Sequence, residues 1–228
     1  MPISKVENID CIEGMKQFPD KFFDLAICDP PYGNESSYNN RRKLKPYENI
    51  EPLPEYYYEL FRISKHQIIW GANYLRNYDL KGGGIVWNKL GTYTEHRKQA
   101  PTIGDCEYAF TSKTNNIKMF SYAWMGNVLG NNYTINPPES KEKFHPSQKP
   151  IALYIWLLEN YAKQGDKILD THLGSQSSRI AAYKKGFDFW GFEIDKDYFE
   201  EGNERFEKSI AMPLFDSIRP QMQQLSLV

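Results

Sequence analysis

The sequence predicts an α/β fold, a doubly wound and mostly parallel sheet with helices on its faces. Three observations predict it. Short apolar runs alternate with helical patterns along most of the 228 residues. Glycine or proline bounds several of these segments. Two unusual loops, "CDPPY" at 28–32 and "LDTHLGS" at 169–175, each follow an apolar run. Alternating strands and helices build parallel sheets. Such sheets bind ligands beyond the carboxyl ends of their strands, which is where both loops fall.

Each element has its own signal. Residues 3–28 read as strand, helix, strand: "CIEGMKQF" spaces Ile12, Met15 and Phe18 helically, and "FFDLAIC" is an apolar run. "PEYYYELFRI" is a helix with Pro54 in its first turn. "QIIWGANYL" and "GGGIVWNKL" are strands, and "CEYAFTS" and "KMFSYAW" alternate as a hairpin-like pair. "PIALYIWLLENYAKQGD" is a helix with Pro150 at its start and a stripe of Ile151, Tyr154, Ile155 and Leu158. Then "KILDT" is a strand, "SSRIAAYKKG" a helix closed by Gly186, "FDFWGFEI" a strand and "KDYFEEGNERFEKSI" a helix. Residues 34–50 and 125–149 are polar and irregular, and loops of that length are usually functional or disordered. No internal repeat or low-complexity segment is visible.

Composition sets the bounds. The length suits one domain, and 40% hydrophobic with 15% aromatic content fills a sizeable core. A formal net charge of −1 gives no global basic signature, so any nucleic-acid contact must come from local patches. Cys11, Cys28 and Cys106 are odd in number with no CxxC spacing, which points to a reducing cytosol and not to disulfides or zinc. The four histidines are scattered, and no metal site is expected. No signal peptide or membrane-spanning run is visible, so a cytoplasmic protein is expected.

The two loops carry chemistry. In "DLAICDPPYGN" two consecutive prolines stop the strand, because proline lacks an N–H and has a fixed φ. What is left is a stiff loop offering the Asp29 carboxylate, carbonyl oxygens and the Tyr32 ring. In "ILDTHLGSQSSRIAA" an acid ends a strand, Gly174 and Ser175 let main chain approach a ligand, and a helix N-terminus follows. Glu193 ends the next strand about 20 residues beyond the glycine turn, where nucleotide-binding α/β folds place an acid for ribose hydroxyls. The full dinucleotide glycine fingerprint and a GKS or GKT phosphate loop are both absent. An adenosine-like ligand therefore fits better than NAD or ATP.

Together these segments resemble the S-adenosylmethionine-dependent amino-methyltransferases of DNA. "DPPY" is similar to their catalytic motif and "LDTHLGS" to their cofactor loop. "FHPSQKPIALYIWLL" resembles their H-P-T-Q-K-P segment and helix, and "WGFEID" the acidic strand end beside the cofactor ribose. The catalytic motif precedes the cofactor loop, which resembles the circularly permuted beta group. The resemblance covers roughly residues 3–35 and 60–210. It implies a Rossmann-like methyltransferase fold over residues 1–228, one domain with loop insertions, and S-adenosylmethionine as cofactor.

Residue by residue, the resemblance implies a catalytic Asp29, Pro30, Pro31 and Tyr32. It implies a cofactor site of Asp10, Cys11, Asp29, Lys149, Asp170, His172, Leu173, Gly174, Ser175 and Glu193. The implied substrate is a flipped base of double-stranded DNA, methylated on its exocyclic amine. An acid at position 29 leans to N6 of adenine over N4 of cytosine. Arg41, Arg42, Lys43, Lys141 and Lys143, in the two polar loops, are candidate phosphate contacts. A cognate restriction endonuclease, a bacterial or phage origin and a monomer or homodimer are further expectations.

Other readings stay open. Asp10 can equally cap a helix, Lys149 can be a solvated lysine, and the Arg41–Lys45 cluster a solvated loop. Methylation of RNA or of a protein glutamine amide uses similar prolyl-tyrosine loops. Cytosine C5 methylation needs a thiolate presented in a Pro-Cys loop, and no Pro-Cys occurs. Cys28 is expected to face the core. Gln176 stands where the cofactor-loop pattern has its second glycine. It is expected to crowd or strain the turn, so that glycine there would tighten cofactor binding, unless the turn is right-handed with Gln176 in solvent. A non-catalytic DNA-binding homologue is the reading that this departure keeps alive.

Overall fold

The computed structural model describes residues 1–33, 50–75, 80–90, 104–125, 128–130, 134–135 and 144–211. In chain order the elements are β1 (Ser4–Glu7), α1 (Cys11–Lys16), β2 (Phe23–Cys28), α2 (Pro54–Ile63), β3 (Ser64–Trp70), β4 (Gly83–Asn88), β5 (Cys106–Thr111) and β6 (Ile117–Ser121). There follow β7 (Ala123–Met125), β8 (Val128–Gly130), β9 (Thr134–Ile135), α3 (Ile151–Tyr161), β10 (Lys167–Asp170), α4 (Ser177–Lys185), β11 (Asp188–Phe192) and α5 (Lys196–Ala211).

Eight strands form one sheet in the order β1-β11-β10-β2-β3-β5-β4-β6. β1, β11, β10, β2 and β3 run parallel to one another, and β4 runs parallel to β6; β5 is antiparallel to both β3 and β4. The expected doubly wound, mostly parallel sheet is therefore present. The central strand β2 shows why it needs cover on both faces. Leu25 and Ile27 enter a cluster with Leu153, Leu157 and Ala181 from α3 and α4. Ala26 and Cys28 enter another with Met15, Tyr56 and Leu60 from α1 and α2. Period-two side chains thus feed two layers from one strand. Each large apolar side chain so buried contributes about 1.5–3 kcal/mol.

Four expectations need correction. "CEYAFTS" and "KMFSYAW" are not paired with each other: β4 lies between β5 and β6 and bonds to both. Alternation marks a half-buried strand but not its partner, and β4, with Ile85 and Trp87 buried, fills the middle position. The stretch after 125 is not wholly irregular, because β7, β8 and β9 form a small antiparallel sheet. β3 starts directly after α2 and ends at Trp70, where Gly71 turns the chain with φ +71°, so "ANYL" is not strand. The buried face of α3 is Leu153, Tyr154, Leu157, Leu158 and Tyr161, with Ile151 and Ile155 only at its rim. That helix is apolar almost all round, so its own periodicity does not select the face.

Parallel strands align their carboxyl ends. Asp29 follows β2, Asp170 ends β10 and Glu193 follows β11, so one edge of the sheet gathers three carboxylates from three separate stretches of sequence.

Candidate active site

The proline loop leaves β2 with Pro30 buried and Tyr32 partly covered. Oδ1 of Asp29 accepts a hydrogen bond from the Tyr32 hydroxyl, and Oδ2 accepts one from Nζ of Lys149. The Tyr32 ring occupies the space that a Cβ on Gly71 would need, so this turn requires glycine for room as well as for its positive φ. Tyr32 also stacks on Tyr74 at 5.2 Å between centroids.

Lys149 is 5% exposed and Asp29 13%. A second carboxylate lies close by: Nζ of Lys149 is 3.4 Å from Oε2 of Glu107, whose Oε1 is 3.3 Å from Nζ of Lys89. Cations and anions therefore alternate along Lys89, Glu107, Lys149 and Asp29. Burial alone would lower the pKa of Lys149, but the carboxylates of Asp29 and Glu107 outweigh it and raise it above the ordinary lysine value. Burial would raise the pKa of Glu107, but Lys149 and Lys89 outweigh it and hold it below the usual range. Lys149 is thus not a solvated lysine. Glu107 and Lys89 were not among the residues that sequence reasoning selected. The available signal was a glutamate inside the otherwise apolar and aromatic strand "CEYAFT".

The second loop closes over the ends of β10 and β11. Asp170 is 2% exposed. Its Oδ2 accepts from Ser178 Oγ at 2.5 Å and its Oδ1 from the His172 N–H at 3.0 Å. Burial raises its pKa to about 7 despite these two bonds, with Asp29 and Glu193 adding to the rise. Leu173 is buried, and its N–H bonds the Phe192 carbonyl at 3.0 Å. Gly174 has φ +46° and donates its N–H to Oε2 of Glu193 at 2.8 Å; Oε1 accepts from the Asp195 N–H at 2.9 Å. Burial raises the pKa of Glu193 against these two donors. Ser175 is buried, and its carbonyl accepts from Arg205 at 2.6 Å.

His172 and Cys11 join the site from its flank. Thr171 Oγ1 lies 2.7 Å from the Tyr56 hydroxyl and 3.0 Å from His172 Nδ1, while His172 Nε2 is 3.9 Å from Cys11 Sγ. Burial lowers the His172 pKa to about 4, so the ring is neutral at pH 7. Burial pushes the thiols of Cys11 and Cys28 up to about 12, which suits neither for nucleophilic work. Asp10 caps α1: its Oδ1 accepts from the N–H groups of Ile12 at 2.8 Å and Glu13 at 3.3 Å. Its capping role is therefore occupied by one oxygen. Arg41, Arg42, Lys43, Lys141 and Lys143 lie outside the described residues. Among the described residues no group of three His, Cys, Asp or Glu is placed to hold a metal ion.

The segment 145–149 links the two loops. His145, also not selected from sequence, packs against Gly174, where a Cβ would be 3.2 Å from its ring. Lys149 holds Asp29 by its side chain, and its carbonyl accepts from Ser177 Oγ at 2.8 Å.

Gln176 bears out the strain expected of it and corrects the expected crowding. Its φ of 57° is left-handed, so the right-handed solvent-facing alternative fails. Yet the side chain is fully buried against α5. Nε2 donates to the Phe199 carbonyl and Asn203 Oδ1, both at 3.2 Å, and Oε1 accepts from Arg179 at 2.8 Å. It packs on Gly202, where a Cβ would be 2.6 Å from Nε2. The glutamine does not crowd the Gly174–Glu193 loop; it anchors that loop to the neighbouring helix.

Residues 68–204, more than half of the chain, match the family model of N6 and N4 methyltransferases, described as DNA methylase. The chain belongs to that DNA methylase family. The match spans Lys149, the second loop and Glu193. Among DNA methylases the chain is 24% identical to the type II methyltransferase M.HpaI of Haemophilus parainfluenzae, over 94% of this chain and 77% of the relative. A DNA modification methylase of Thermus thermophilus, TTHA0409 complexed with S-adenosyl-L-methionine, has a TM-score of 0.57 at 17% identity, covering 93% of this chain and 98% of that one. PvuII DNA methyltransferase, described as cytosine-N4-specific, has a TM-score of 0.57 at 16% identity, covering 92% of each chain. At these identities the solved structures establish the fold.

Proposed function

We propose that this methyltransferase moves a methyl group from S-adenosylmethionine to the exocyclic amine of a base flipped out of double-stranded DNA, N6 of adenine. The observation that carries the reading is Asp29. It is an acceptor-only group followed by a proline carbonyl, backed by Lys149 and Tyr32, at the sheet edge that also holds the Gly174–Glu193 loop.

The residues present fit the cofactor. Gly174 presents main chain without a side chain in a left-handed turn, and Glu193 and Asp170 stand at neighbouring strand ends. Asp170, His172, Leu173, Gly174, Ser175 and Glu193 would hold it, with Asp10, Cys11, Asp29 and Lys149 at the margins. S-adenosylmethionine supplies an activated methyl on a sulfonium, so no covalent enzyme intermediate is needed. The Thermus methylase of similar fold, which was solved with S-adenosyl-L-methionine bound, supports this assignment by similarity.

The chain's own groups then have defined work. An aromatic amine is a weak nucleophile because its lone pair is delocalised. Asp29 and the Pro30 carbonyl accept hydrogen bonds from its two N–H groups, draw the nitrogen towards tetrahedral geometry and stabilise the positive charge that develops there; the methyl leaves a neutral thioether behind and the nitrogen then loses one proton. Tyr32, stacked on Tyr74, extends an aromatic platform on which the flipped base is proposed to stack, a contact worth about 1–3 kcal/mol. Arg41, Arg42, Lys43, Lys141 and Lys143 are proposed phosphate contacts. A cognate endonuclease fits the type II description of M.HpaI.

A second reading, N4 of cytosine, is favoured by the cytosine-N4-specific neighbour. Sequencing DNA from cells that express the chain, with modified-base detection, tests both. Methylated adenine in one fixed sequence context is expected. Methylated cytosine there would move the assignment to the second reading, and unmodified DNA would count against both.

A further inference from the structure

The mechanism proposed for Asp29 leaves Lys149 in an awkward position. An ammonium hydrogen-bonded to Asp29 competes for the acceptor that the substrate amine needs. It also opposes the positive charge that develops on the attacking nitrogen. The site must therefore neutralise Lys149 or draw it aside while the base reacts. Loss of the proton is disfavoured, because the two carboxylates raise the pKa of Lys149.

Glu107 is placed to do this. Its carboxylate, from a different strand, stands 3.4 Å from Nζ. Oε2 is buried and has no hydrogen bond of normal geometry, so it is an acceptor held in waiting. Its other oxygen is fixed by Lys89 at 3.3 Å, which keeps the carboxylate from following Lys149. The Trp70 ring, 5.7 Å from Nζ to its centroid, favours a cation at this place. The 3.4 Å separation is already within hydrogen-bond range, so a reorientation of the ammonium converts the contact with Glu107 into a hydrogen bond.

Resting on the amine-methylation reading above, we propose that Glu107 is a positioning residue. It takes Lys149 over from Asp29 as the target base enters, leaving Asp29 free to accept a hydrogen bond from the amine. No proton changes owner in this exchange; one ammonium hydrogen bond passes between two carboxylates.

Glu107→Gln tests it, in single-turnover methylation of a duplex containing the site found by sequencing. Loss of one charged acceptor predicts a chemical step about ten- to a hundredfold slower. The S-adenosylmethionine Kd by calorimetry and the duplex Kd are expected to stay within about twofold. Glu107→Asp keeps the charge but retracts it, so its rate should fall between the two. It stands in if the glutamine variant does not fold. A Glu107→Gln rate equal to wild type overturns the inference. So does a loss of cofactor and duplex affinity that accounts for the whole fall, because that is the mark of a merely structural residue. A wild-type protein that methylates no DNA overturns the functional reading and this inference with it, and is seen before any variant is compared.

Discussion

The main-chain N–H of Gly174 donates to Oε2 of Glu193 at 2.8 Å, fastening the loop after β10 to the end of β11. With the Asp195 N–H on Oε1, one carboxylate satisfies two main-chain donors from different loops. Glu193→Ala leaves both donors without that acceptor. We expect a loss of about 2 kcal/mol in urea unfolding, reduced from the full value of two charged bonds because burial already disfavours the anion. Cofactor affinity should fall at least tenfold in calorimetric titration. An unchanged affinity would remove Glu193 from the proposed cofactor site.

Gln176 has a prediction opposite to the one its sequence position suggests. Gln176→Gly relieves a left-handed residue, worth roughly 1–2 kcal/mol. It also deletes a fully buried amide and its bonds to Phe199, Asn203 and Arg179, at about 1 kcal/mol each, and leaves the buried Arg179 without that acceptor. The variant should be less stable by about 1–2 kcal/mol and bind S-adenosylmethionine no more tightly than wild type. A five- to thirtyfold tighter Kd would show that the side chain does obstruct the cofactor.

Asp170 gives the stability a particular pH dependence. Burial raises its pKa from an ordinary 3.8 to about 7, so between these values the folded chain holds a proton that the unfolded chain has lost. Stability from this group is full below pH 4 and falls as pH rises to 7, with a slope of up to about 1.4 kcal/mol per pH unit. Asp170→Asn removes the group while keeping its size. Its stability relative to wild type should therefore rise across pH 4–7 in urea titrations. A constant difference would contradict the assignment of the buried carboxyl.

Much of this was legible in the sequence, for physical reasons. The elements around β2, β10 and β11 show themselves because each short apolar run ends in an abrupt chemical change: Asp29 before two prolines, Asp170 before a glycine turn, Glu193 before a polar helix. Parallel topology then carries those ends to one edge. Strand partners were less legible, since the alternation in β5 and β6 is satisfied by β4 as well as by each other. The face of α3 was hidden by its apolar surround. Glu107, Lys89 and His145 were missed because their roles depend on contacts between segments far apart in the chain. Gln176 was half read: its position required a left-handed turn, but only the packing of α5 shows where the side chain goes.

The central claim is that Asp29 accepts a hydrogen bond from the substrate amine, and Asp29→Ala tests it most directly. Lys149 keeps Glu107 as a partner in this variant, so the fold should survive. Methyl transfer to the site that the wild type modifies should be abolished, while cofactor binding by calorimetry is retained. A folded, cofactor-binding Asp29→Ala protein that methylates the same site at near-native turnover would contradict the account.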